Sequence, residues 1–325
     1  MAEAPLSLPT LDDVLVARAA IGERLHRTPV FSSAALSAAA GANVVLKAEL
    51  FQRTGSFKVR GALAKLGALS HEEKARGVIG ISAGNHAQAV AYAAALEGVD
   101  CLLVMSSGAS TQKIAATRGY GAEVDLEAAG PAEAFERLAL LLEQTGRTLV
   151  HPFDDPVIVA GQGTLALEVL EDVPEADVVV VPVGGGGLLA GVATVVKALR
   201  PQARVVGVEP ERSAALHEAL RAGHPVPVAP ESIADGLGAP FAGELPLAVC
   251  RERVDELVLV TEAELVAAMR FLYGRAKLAC EAAGAASTAA LLGGKVALEA
   301  GETAVVVVSG GNISPETASG ILAGA

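Results

Sequence analysis

The sequence has no tryptophan, and aromatic residues fill only 3% of its 325 positions. Any core must therefore be packed from Ala, Val, Leu and Ile. Cysteine is scarce: Cys101, Cys250 and Cys280 are the three present, widely separated and without metal-ligand spacing. They read as reduced, mostly buried thiols. Positive charge is also in deficit, with 25 Lys and Arg against 37 Asp and Glu and a net charge of −12. That balance argues against nucleic acid and anionic membrane surfaces as partners. No apolar stretch reaches transmembrane length without a charge, Pro or Gly. Met1–Thr10 lacks the basic and apolar regions of a signal peptide. A cytoplasmic protein is expected.

What is present is apolar. Hydrophobic residues make up 52% and charged residues 19%, which supports a buried core and excludes disorder. The length allows one large domain or two smaller ones. Short apolar runs predict buried strands at Val44–Leu46, Val78–Ile81, Cys101–Met105, Val178–Val183, Arg204–Val208 and Ala304–Val308. Ala-rich segments between them have helical spacing: Asn85–Leu96, Pro131–Gln144, Gly187–Leu199, Ala263–Tyr273 and Ala285–Leu292. Buried strands alternating with helices predict an α/β fold whose parallel sheet is covered on both faces.

Ligands of such sheets bind beyond the carboxyl ends of the strands, and small-residue turns fall there. Gly184–Gly187 follows one predicted strand and opens a helix. Converging backbone N–H groups and the helix dipole suit a phosphate; a tight strand–helix turn is the plain alternative. Gly185, Gly187 and Ala190, with Glu209 after the next strand, also fit a dinucleotide fingerprint and an NAD-dependent oxidoreductase. Ser82-Ala83-Gly84-Asn85-His86 follows another strand. It suits a substrate carboxylate or, more plainly, a helix cap. Ser309-Gly310-Gly311-Asn312 follows a third, where the Ser309 hydroxyl could meet a ring nitrogen or simply form a turn. Ala234-Asp235-Gly236 is a weaker turn in an irregular stretch. Lys58 follows a Gly55-Ser56 turn and precedes a helix-like stretch. A partly desolvated lysine there can bind a carbonyl as a Schiff base, although a lone lysine is usually an ordinary surface residue. His26, His71, His151, His217 and His224 read as structural.

Together these stretches resemble the fold-type II pyridoxal-phosphate (PLP) enzymes, in the threonine/serine dehydratase and serine racemase branch. The resemblance is carried by Phe51–Ala62, Ser82–Gln88, Ala115–Ala122, His151–Pro156, Pro182–Gly191, Ile233–Gly236 and Ser309–Asn312, in the family's order and over nearly the whole chain. It implies a tryptophan synthase β-like fold of two parallel-sheet α/β domains, with the cofactor between them. Residues 72–150 would form the smaller domain, and 1–71 with 151–325 the larger.

It also implies roles. Lys58 carries the cofactor aldehyde as a Schiff base, and Lys58 and Ser82 are the catalytic side chains. Gly184, Gly185, Gly186 and Gly187, with the Leu188 amide, hold the phosphate. Asn85 bonds the ring hydroxyl, Phe57 packs beside the ring, Gly236 lies at the cofactor and Ser309 faces the pyridine nitrogen. Ser82, Asn85 and His86 surround the substrate carboxylate. The expected reaction is removal of water and ammonia from L-threonine or L-serine by a homodimer or homotetramer. Serine racemisation and dehydration of 3-hydroxyaspartate or phenylserine are the alternatives within the family. A ligand-binding module using the same turns is the non-enzymatic one.

Three positions depart from the family. Ala83 stands where its racemases have a serine that acts as the second base, so one-base elimination is favoured. Ala215 stands where its cation-binding members have a second acid. That leaves Glu209 as the single candidate ligand and implies a weak or absent divalent-cation site. Ser106 replaces a proline, with no consequence assignable from sequence. The chain ends shortly after Asn312, which implies the short form without a regulatory domain.

Overall fold

Val178–Pro182 and Thr303–Val308 are strands with every residue buried. β-branched runs of this kind suit a strand covered on both faces, where each side chain packs against a helix layer. In the computed structural model, which describes residues 6–323, these strands lie inside a six-stranded sheet.

The strands in chain order are β1 (Val30–Ser32), β2 (Asn43–Ala48), β3 (Val78–Ile81), β4 (Cys101–Ser106), β5 (Glu123–Ala128), β6 (Thr148–Leu149), β7 (Val178–Pro182), β8 (Arg204–Pro210), β9 (Glu256–Val260) and β10 (Thr303–Val308). The larger sheet has the order β1-β2-β10-β7-β8-β9, and the smaller one β5-β4-β3-β6. In the larger sheet β10 sets Val306 opposite Leu46 of β2 and Val180 of β7, both in parallel register. Among the described strands only β1 runs antiparallel, against β2. All six predicted strands are present. Every strand of the smaller sheet falls between residues 72 and 150.

β1, β5, β6 and β9 are not foreshadowed in the sequence. These are edge or half-buried strands: β5 is Glu-Val-Asp-Leu-Glu-Ala and mostly accessible, and β6 has two residues. Without burial on both faces they carry no continuous apolar signal. The helix expected to run to Tyr273 ends at Phe271 and passes into a π-turn, Leu272–Ala276.

One packing feature positions the site. The helix Pro156–Asp172 is gripped between the helices Lys58–Ala68 and Gly187–Leu199. Both contacts are made by glycine. A Cβ on Gly161 would lie 2.7 Å from the Gly61 Cα, and one on Gly191 would lie 2.6 Å from the Gly163 nitrogen. The backbones thus approach closely, and the two outer helices, one beginning at Lys58 and the other at the last glycine of the tetraglycine run, both start at the lining of one cavity.

Candidate active site

The cavity has a volume of about 280 Å³ and opens at the carboxyl ends of β3, β4, β7 and β10. Lys58, Phe57, Ser82–His86, Gly184–Leu188, Gly236 and Ser309 all line it. The structure thus gathers every predicted cofactor and substrate residue into one place, leaving Glu209 outside.

Lys58 is the first residue of its helix. The segment before it is pinned by a bridge between Ser56 and Gly310 and by the Phe57 N–H, which donates to the Ser309 carbonyl at 3.1 Å. The Lys58 ammonium donates to the Pro152 carbonyl at 2.9 Å and lies 5.2 Å from the centre of the Phe57 ring. Burial pushes its pKa down to about 8. Desolvation penalises the charged form and so makes an amine nucleophilic near neutral pH.

Gly184–Gly187 joins β7 to the helix Gly187–Leu199. Gly186 takes φ +94° at the helix cap, and no side chain caps the first N–H groups. Those groups have no partner within the helix, so an anion can take them. Packing also demands glycine here. A Cβ on Gly185 would lie 2.3 Å from the Phe153 ring, on Gly186 2.7 Å from Pro246 Cβ, and on Gly187 2.9 Å from the Phe153 carbonyl oxygen. The run is therefore required by steric fit as well as by any phosphate, a reason the local sequence does not contain.

The helix Asn85–Glu97 starts after Gly84 and also has no side-chain cap. Ser82 Oγ accepts instead from the Gly84 N–H at 3.1 Å. It does not cap the helix, which leaves the first-turn N–H groups of this helix free for an anion. His86 is buried, and its Nε2 lies 2.9 Å from the Val150 carbonyl oxygen. That carbonyl can only accept, so Nε2 carries the proton. Nδ1 is a buried acceptor with no partner among the described residues. Burial, then the nearby Lys58 charge, push the imidazole pKa down to about 3. A neutral ring with a bare acceptor cannot donate to a carboxylate, so a contact from His86 to an anion runs through its backbone N–H.

Asn85 is engaged on both sides of its amide. Nδ2 donates to Glu281 Oε1 at 2.6 Å, and Oδ1 accepts from Asn312 Nδ2 at 2.7 Å. Glu281 is buried, lines the cavity and was not singled out from sequence. It precedes an Ala-rich helix in the position of an ordinary capping acid, and no sequence signal aims it at the cavity. Lys113, and its pairing with Asp235 of the Ala234–Gly236 turn, carry no such signal either. The two residues form an ion pair that joins the helix Thr111–Gly119 to the Asp235–Leu237 turn beside the cavity. Ser106 lines the cavity where the register between β4 and β5 shifts.

Glu209 is fully buried, and its two carboxylate oxygens accept from the Leu216 and His217 N–H groups at 2.8 Å each. It caps the helix Ala215–Ala222. Burial nevertheless pushes its pKa up to about 8. Among the described residues no three His, Cys, Asp or Glu side chains cluster as metal ligands. None of the described helices is long and apolar enough to cross a membrane. All three cysteines are buried and unpaired.

The family described as "Pyridoxal-phosphate dependent enzyme" matches residues 21–310. The L-threonine ammonia-lyase of Thermotoga maritima is 43% identical over 94% of this chain and 76% of its own length. The catabolic L-threonine dehydratase TdcB of Staphylococcus aureus N315 is also 43% identical, over 96% of this chain and 92% of its own. Among solved structures, maize serine racemase superposes with a TM-score of 0.92 at 36% identity, covering 96% of both chains. Threonine deaminase isoform 2 of Solanum lycopersicum, in its processed form, gives 0.90 at 34% identity, covering 99% of this chain and 92% of its own.

Proposed function

The chain belongs to the pyridoxal-phosphate dependent enzyme family, with the two parallel-sheet domains of fold type II, and within that family we propose that it is an L-threonine and L-serine ammonia-lyase. One observation carries the proposal: the Lys58 amine, its pKa lowered by burial, faces the same cavity as the uncapped helix N-terminus at Gly184–Leu188. The residues present fit the cofactor. Side-chain-free backbone supplies donors for its phosphate, an amine is poised for its aldehyde, and a neutral hydroxyl at Ser309 lines the same cavity.

When bound, pyridoxal phosphate supplies an electron sink for charge developing at the substrate Cα. The chain's residues do the rest. Lys58 holds the cofactor, yields to the substrate amine and takes the Cα proton on Nζ. The N–H groups of Gly184–Leu188 hold the phosphate. Ser82 and the first-turn N–H groups of the helix Asn85–Glu97 hold the substrate carboxylate, with His86 contributing through its backbone. Phe57 packs beside the ring. Gly236, where a Cβ would lie 2.9 Å from Ala283 Cβ, allows the close approach of the turn that carries it. Ser309 offers the ring nitrogen a neutral hydroxyl rather than a carboxylate, which favours expulsion of a β-leaving group over transamination. The Cα proton held on Lys58 Nζ balances the departing β-hydroxyl, which leaves as water, and the released enamine takes up water to give a 2-oxo acid and ammonia.

Ala83 lines the cavity where a second base would stand, and its methyl exchanges no proton. That supports elimination over racemisation, although serine racemases are among the structural neighbours. The smaller unit, residues 72–150, closes one side of the cavity, and the larger unit carries Lys58 and the glycine turn. The enzyme works as a cytoplasmic homodimer or homotetramer. Unpaired cysteines support the compartment, and an accessible Phe31–Phe51 pair beside the edge strand β1 supports the assembly.

The test is a panel of β-hydroxy amino acids assayed for ammonia release. Release from L-threonine and L-serine is expected, together with a visible cofactor band that disappears in Lys58→Ala. Racemisation of L-serine faster than pyruvate release would contradict the assignment, and so would absence of the band in wild-type protein supplied with cofactor.

A further inference from the structure

Glu281 occupies the cap position of the helix Ala282–Leu292, yet it does not cap it. Its carboxylate turns inward and accepts from Asn85. Space for it is kept by Gly310, where a Cβ would lie 2.3 Å from Glu281 Oε1; Gly236 is a near neighbour, where a Cβ would meet the same oxygen at an ordinary contact distance of 3.6 Å. Gly310 directly follows Ser309. The carboxylate therefore sits between the Ser309 turn, the Asp235 turn and the first turn of the helix that carries Asn85.

The orientation of the Asn85 amide follows from a chain of bonds anchored on the backbone. The Thr54 carbonyl can only accept. Asn312 Nδ2 donates to it at 2.7 Å, which fixes the Asn312 amide. The second Nδ2 hydrogen of Asn312 reaches Asn85 Oδ1 at 2.7 Å. Asn85 must then present its nitrogen to Glu281. One hydrogen of Asn85 Nδ2 is spent on Glu281, and one is left. Thr54 itself lies four residues before Lys58 at φ +62°. The chain thus ties the lysine segment, the carboxylate turn, the Ser309 turn and Glu281 together.

We propose that Glu281 is a positioning residue that locks Asn85 into a donor-only orientation toward the bound cofactor, and that its ionisation couples the cofactor's environment to pH. This rests on the reading that Asn85 bonds the ring hydroxyl. A carboxylate as acceptor selects the Asn85 nitrogen, so the hydrogen that remains favours an ionised ring oxygen. Among the described residues no salt bridge offsets the burial of Glu281. Its hydrogen-bond donor is the neutral Asn85 amide; Asp235 on its turn opposes the charge, and Lys113 on the helix Thr111–Gly119 favours it. Cys280 is the adjacent titratable group and is itself pushed up by burial and then by Glu281. Burial leads the causes, and the carboxyl pKa is raised to about 7. Glu281 therefore changes charge in the neutral range.

The experiment compares wild type, Glu281→Gln, Glu281→Ala and Asn312→Ala as holoenzymes, by cofactor dissociation and by the pH dependence of the bound cofactor's visible spectrum. Glu281→Gln keeps an acceptor for Asn85 but cannot ionise. It should hold cofactor nearly as well as wild type and lose a spectral step in the neutral range. Glu281→Ala removes one bond of the chain and Asn312→Ala two; each should release cofactor at least about tenfold more readily, the consequence of losing a buried hydrogen bond. A Glu281→Gln spectrum that titrates as wild type does would overturn the proposal. So would cofactor retention in Glu281→Ala equal to wild type. If wild type binds cofactor but shows no contact-dependent change in any of these variants, the role of Asn85 fails while the lyase assignment stands. If wild type forms no band at all, the lyase assignment fails first.

Discussion

Lys58 Nζ donates to the Pro152 carbonyl at 2.9 Å, and desolvation is the cause that moves its pKa, down to about 8 from 10.5. A dipole, not a carboxylate, receives the ammonium. The group therefore deprotonates easily in the folded state, and the buried charge below pH 8 is a cost. Cofactor-free protein should capture the cofactor aldehyde at a rate that rises through about pH 8 and levels off above it. Stopped-flow absorbance checks this; a rate still climbing toward pH 10.5 would show an unperturbed lysine.

Gly185→Ala should abolish cofactor binding. The added methyl would lie 2.3 Å from the Phe153 ring, and overpacking of this kind costs about 1–3 kcal/mol. Phe153 also packs on His151 and Phe241, so it has little room to yield. Thermal melting and cofactor titration together measure both losses. A variant that melts and binds like wild type would show that the loop simply shifts.

Arg60 lies two residues beyond Lys58 and is fully buried with Glu49, while Glu168 is partly accessible; its guanidinium bonds both carboxylates. Lys47 is tied to Glu168 in the same network. Removing one partner of a buried ion network strands the others, so Arg60→Ala should lose about 3–5 kcal/mol. Breaking the accessible Arg212–Glu231 pair should cost less than about 1 kcal/mol. Urea unfolding of the two variants gives the comparison.

His86 is held neutral, with its pKa lowered from 6.5 to about 3. The unfolded chain binds the proton first. The stability His86 contributes is therefore complete above pH 6.5 and is lost as pH falls toward 3. His86→Leu should flatten the pH dependence of unfolding across that window. An unchanged slope would mean that the ring already reaches water.

The fold was legible where burial is complete. Val178–Val183 and Ala304–Val308 announce themselves because both faces of the sheet are covered. The strand Glu123–Ala128 does not, because its mostly accessible residues carry mixed polarity. The same division runs through the site. Gly184–Gly187, Ser82–His86, Ser309 and Lys58 were legible because turn chemistry is written in adjacent residues. Glu281, Lys113 and the pairing of Asp235 were not, since each acts on a partner far along the chain: Asn85 lies 196 positions from Glu281, and Lys113 lies 122 from Asp235.

By itself the sequence determined the α/β class, the positions of the buried strands along the chain, the turns that end them and the family to which those turns belong. All of these are set by local periodicity and neighbouring residues. Only the tertiary structure decided what each site residue has left to offer. Ser82 bonds its own turn rather than capping a helix, the His86 ring faces a carbonyl, and both oxygens of Glu209 are taken by a helix start. The glycine run answers to Phe153 and Pro246 as well as to an anion. Burial and hydrogen-bond partners fix ionisation and free donors, and both come from segments that meet only when the chain folds.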